Sequence, residues 1–113
     1  MKNDQYRECI EACNECAVVC HECATACLHE REVHHLTKCI QLDMECATIC
    51  ETAARIMSMD GTMAAQLCDL CASICNQCAD ECEKHAENGM EHCRECAETC
   101  RRCAEVCMSM AHA

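Results

Sequence analysis

Cysteine dominates the chemistry open to this chain, at nineteen of 113 residues. Between Cys13 and Cys27 the sequence reads CNECAVVCHECATAC, with cysteines at 13, 16, 20, 23 and 27. Cys9 extends the series one step backwards. The spacing alternates three and four, the rhythm of a coiled-coil seam with thiols where Leu or Ile would sit. Residues three and four apart share one face of a helix, so the stretch predicts a helix with a stripe of sulfur along one side. Two thiolates one helical turn apart can reach the same metal ion, and thiolates are soft donors suited to Cu(I), zinc and iron–sulfur clusters.

The motif C-x-x-C-A-x-x-C-x-x-C-A-x-x-C recurs position by position. It covers Cys13, Cys16, Cys20, Cys23 and Cys27, then Cys68, Cys71, Cys75, Cys78 and Cys82, then Cys93, Cys96, Cys100, Cys103 and Cys107. A degraded fourth copy, DMECATICETAARIM, keeps Cys46, Ala47, Cys50 and Ala54, with Cys39 one step upstream. Asp43, Ala53 and Met57 stand where the other copies have Cys. Asp43 is either a polar ligand or a point where water enters the core.

Charge selects the metal. Four thiolates around Zn²⁺ leave a net charge of −2, and stacking such sites in one narrow core would bury repulsive charge. Cu(I) is monovalent and accepts two or three bridging thiolates, so a cluster with about one copper per thiol approaches neutrality. Replacing each S–H proton by Cu(I) then hardly changes the core's charge, and the chain could hold on the order of nineteen Cu(I) ions. Zinc ribbons place C-x-x-C in turns, whereas these motifs lie in Ala-rich helical stretches. The ferredoxin spacing C-x-x-C-x-x-C is absent. A multi-zinc module and a thiol redox buffer are the alternatives. Cys as simple core filler is a weaker reading, because a packed core would mix Leu, Ile and Val into the stripe.

The elements that must hold these residues are helices. Short breaks separate the copies and predict helices over roughly 4–28, 31–57, 62–86 and 90–110. Asn3 is offered as a cap for the first. Asp60-Gly61-Thr62 reads as a turn followed by a cap, and Asn88-Gly89 as a left-handed stop. Connections this short make sequential helices antiparallel neighbours. The fold class is therefore all-α, an up-down-up-down antiparallel four-helix bundle with a Cys-lined core, and residues 1–113 form one domain.

Composition agrees only if Cys and Ala supply the buried face. There is no Phe, Trp or Pro, and Leu, Ile and Val make up about an eighth of the chain. A net charge of −11 argues against nucleic acid and favours weak attraction for cations. The stretch MKNDQYREC shows no apolar run or twin arginine, which reads as no export signal, and no segment is long and apolar enough for a membrane span. A cytoplasmic protein with reduced thiols is the expectation.

Extending the seam gives each end of the bundle a character. One end carries Tyr6, Met57, Ala64 and Met110 inward, where the thioethers are either copper ligands or gap-fillers. At the other end His85 is on phase, His35 and His92 lie one residue off it, and His29 and His34 sit in or near the connection. His85 and His35 are the candidates for metal entry there.

With an inward thiol stripe on each of four helices, the chain resembles the bacterial copper storage proteins, specifically their cytosolic branch. The likeness rests on the C-x-x-C-A-x-x-C repeats at Cys13, Cys68 and Cys93 and covers nearly the whole chain. It implies a non-enzymatic bundle that fills with Cu(I) through thiolate clusters, assembles as a homotetramer and admits copper at one end through non-Cys ligands. The family's entry end corresponds to the first connection, which here holds His29, His34 and His35. A copper chaperone or a small thiol would deliver the ion. The departure from the family pattern is the second helix, with only Cys39, Cys46 and Cys50.

Overall fold

A chain rich in Ala, Glu and other helix formers, with no proline, has little to interrupt a helix. The computed structural model describes residues 6–112, so Asn3 and its proposed cap lie outside them. Four helices are present: α1 at Arg7–Leu28, α2 at Thr37–Ser58, α3 at Ala64–Ala86 and α4 at Glu91–Ala111. Helices adjacent in sequence pack together, and α4 returns to α1.

The sulfur contacts give the directions. Cys9 at the start of α1 lies 3.3 Å from Cys107 at the end of α4, and Cys39 at the start of α2 lies 3.6 Å from Cys82 at the end of α3. Neighbours therefore run antiparallel, and the topology is up-down-up-down. The molecule measures 48 × 18 × 17 Å. That cross-section suits four helices about 8–10 Å apart, an approach that small Cys and Ala side chains permit. Ala17, Ala47, Ala72 and Ala97, each directly after a seam cysteine, are all buried.

Two boundaries differ from the sequence expectation. Helix α2 starts at Thr37, not near residue 31, because residues 29–36 form a connection with one 3-10 turn at Val33–His35. Leu36 ends that connection fully buried, one step along the seam from Cys39, and plugs the end of the core. Helix α3 starts at Ala64, and Thr62 is not its cap; Met63 holds that place without a side-chain bond. Among the described residues, no side chain caps α2 or α4 either, and Tyr6 makes no cap bond at α1. Packing of the thiol face, rather than capping, holds the helix starts.

The two glycines do different work. Gly89 has φ 93°, the left-handed conformation expected of it after α3. In the other turn Asp60 takes the positive φ, 51°. A Cβ at Gly61 would lie 2.8 Å from Ile56 Cγ2 and 3.2 Å from the Ile56 carbonyl oxygen, so that position is small because α2 passes too close.

Candidate metal centre

All nineteen cysteines are buried free thiols. They form one continuous column along the bundle axis. Near the end holding Tyr6 and Met110, Cys107 lies 3.3 Å from Cys9 and 3.5 Å from Cys13. Cys68 donates to Met57 Sδ at 3.5 Å, and Met57 is fully buried. In the middle, Cys46 and Cys75 are 3.6 Å apart, and Cys16 and Cys100 are 3.7 Å apart. Thiols from different helices thus meet as closely as thiols one turn apart, such as Cys16 and Cys20 at 3.9 Å.

The column divides into overlapping sets of four. Cys16, Cys46, Cys50 and Cys75 lie within 4.8 Å of one another, as do Cys16, Cys20, Cys46 and Cys100, and Cys20, Cys78, Cys96 and Cys100. Cys13, Cys71, Cys103 and Cys107 form a set towards one end, and Cys23, Cys27, Cys39 and Cys93 towards the other. Shared members, such as Cys16 and Cys46 or Cys20 and Cys100, let a soft ion pass between sets by exchanging one sulfur at a time. Hydrogen bonding with Cys16 pushes the Cys100 thiol up, and the same contact pulls Cys16 down. Such a pair therefore loses its two protons in separate steps.

Asp43 sits in this column, fully buried. Its Oδ1 accepts from Cys78 at 3.1 Å, Cys96 at 3.3 Å and Cys82 at 3.7 Å, while Cys39 donates to Oδ2 at 4.0 Å. Burial first, then the neighbouring sulfurs of Cys96, Cys78 and Cys39, push its carboxyl up to about 12. At neutral pH it is an uncharged acid in a thiol cage. Four thiols from three helices thus face the carboxyl, which stands in the column where the other copies of the repeat carry a cysteine.

The histidines separate sharply. His35 is 67 % exposed on the connection, beside Glu32 at 3.4 Å and against the His34 ring, and so stands outside the sulfur column. Leu36 takes the inward place instead. His85 is half-buried and faces Glu81, with Nε2 and Oε2 3.0 Å apart. Burial raises the Glu81 carboxyl, but bonds from His85 and Lys84 outweigh that and hold it below the usual range. The histidine that meets thiols is His92. Its Nδ1 lies 3.5 Å from Cys93 Sγ, 3.6 Å from Cys23 Sγ and 4.0 Å from Cys27 Sγ. Sequence phase placed it one residue off the stripe. The signal that identifies it is its position four residues before Cys96, in the first turn of α4, where no preceding turn screens the side chain. Met59, Met63 and Met108 are exposed at the opposite end.

The family model for copper storage protein matches residues 2–112. The uncharacterized cysteine-rich protein YhjQ of Bacillus subtilis (strain 168) is 49 % identical over 70 residues, a match covering 61 % of this chain and 65 % of that protein. Copper storage protein 3 of Bacillus subtilis superposes in both states at 47 % identity. The apo form gives TM-score 0.86 over 94 % of this chain and 98 % of that one, and the Cu(I)-bound form 0.89 over 95 % and 98 %. A cytosolic copper storage protein from Streptomyces lividans, loaded with five coppers, gives TM-score 0.93 at 40 % identity, covering 99 % of this chain and 96 % of that one. A column of buried thiols in a bundle of this shape, matched over nearly its whole length by that family model, has one reading: the chain belongs to the copper storage protein family.

Proposed function

We propose that the protein is a cytosolic store for Cu(I) and not an enzyme. The observation that carries this is the column of nineteen buried thiols, in which sets of four lie within reach of one ion along its length. Each thiol that binds gives up a proton and gains a monovalent ion, so the core fills without accumulating charge. The match of one fold to both the copper-free and the Cu(I)-bound relative supports a cage that exists before the metal arrives. A chaperone or small thiol hands Cu(I) to the histidine end, where His92 reaches three thiols, and the ion moves inward by ligand exchange. Met57 and Asp43 are the non-thiol ligands of the interior, and the assembly is a homotetramer.

The test is a titration of reduced protein with Cu(I) against a strong Cu(I) chelator. On the order of nineteen ions should bind per chain before the chelator competes. Saturation at one to four ions would point instead to a sensor or carrier.

A further inference from the structure

The connection between α1 and α2 reaches across the end of the bundle to α4. Glu30 Oε2 lies 3.0 Å from His92 Nε2. A carboxylate can only accept, so Nε2 carries the proton and donates it. In a neutral imidazole the other nitrogen then holds a lone pair. That nitrogen, Nδ1, is the one facing Cys93, Cys23 and Cys27 at 3.5, 3.6 and 4.0 Å. The ring is half-buried, with 24 % of its side chain exposed, and Glu30 is 36 % exposed. The pair therefore sits where the thiol column meets solvent.

We propose that Glu30 is a positioning residue for copper uptake: it fixes the tautomer and ring orientation of His92 so that the Nδ1 lone pair, beside Cys23 and Cys93, is ready for an incoming Cu(I). The inference rests on the storage reading. The alternative tautomer would place an N–H against the sulfurs and leave no lone pair for the ion. A rotated ring would point the lone pair outward. Carboxylate partners of this kind orient metal-ligating histidines generally, and their loss costs about 10- to 100-fold in affinity or activity.

The full reduced protein and its variants are compared in three measurements: the rate of Cu(I) transfer from a coloured chelator complex, the ¹⁵N spectrum of the His92 ring before metal is added, and the total Cu(I) bound. Glu30→Ala should slow the first transfer about 10- to 100-fold and remove the single Nε2–H tautomer from the spectrum. Glu30→Gln, whose amide oxygen still accepts from Nε2, should keep both the tautomer and a near-normal rate. The double variant Glu30→Ala/His92→Ala should be no slower than His92→Ala. A normal rate in Glu30→Ala, an unchanged tautomer, or additive slowing in the double variant overturns the proposal. Total Cu(I) bound by Glu30→Ala should stay close to that of the unaltered protein, because its nineteen cysteines are unchanged. If the unaltered protein itself takes up only a few ions, the storage reading fails, while the ring spectrum still reports on the Glu30–His92 pair.

Discussion

Asp43 shows how one residue tests the electrostatics of the core. It replaces a repeat cysteine and resembles a thiol in being buried and neutral at pH 7. Holding its proton has a cost. Its folded value of about 12 lies above the unfolded value of roughly 4, so between those limits the folded state binds one proton more than the unfolded state. Its contribution is therefore most favourable below pH 4 and declines as pH rises, by about 1.4 kcal/mol per pH unit. Asp43→Asn retains an oxygen acceptor for Cys78 and Cys96 and removes the titration. In denaturant unfolding of copper-free protein under reductant, the stability advantage of the variant should widen between pH 5 and pH 7 by about 3 kcal/mol. A constant gap would mean that water already solvates the carboxyl.

At the scale of the elements, the helices are held by their buried faces and stopped by their turns. Because no side chain caps the starts of α2, α3 and α4 among the described residues, the turn residues matter more than usual. Gly89 is the clearest case, because a Cβ there would meet nothing within 4 Å and only the φ of 93° excludes other residues. Gly89→Ala should therefore lower stability by about 1–2 kcal/mol through backbone strain alone. The urea midpoint should fall with an unchanged slope. A changed slope would show that the α3–α4 turn also shapes the compactness of one of the two states.

For the molecule as a whole, the question is whether the cage precedes its cargo. A protonated thiol packs as a small apolar group, and the buried stripe is continuous from Cys9 to Cys107 at one end and from Cys27 to Cys93 at the other. The copper-free protein should give a helical circular dichroism spectrum and unfold cooperatively. Cu(I) should then raise the unfolding temperature, because it binds the folded state in preference to the unfolded one. A random-coil spectrum that becomes helical only with metal would reject a preformed store.

The sequence by itself determined which face of each helix turns inward. A three–four spacing has one geometric solution on a 3.6-residue helix, and that local rule placed every cysteine, Asp43 and Met57 in the core before any contact was known. It also determined the topology, since connections of a few residues leave sequential helices no other arrangement. What it left undecided lies at the ends. One residue is a rotation of about 100° on a helix, so near a terminus the phase no longer says which histidine reaches the sulfur. Tertiary structure settled that through the connection at residues 29–36, which sent His35 to solvent, put Leu36 in the plug and brought Glu30 onto His92. Side-chain reach at the mouth depends on where a neighbouring helix begins, and that is a property of the packed bundle.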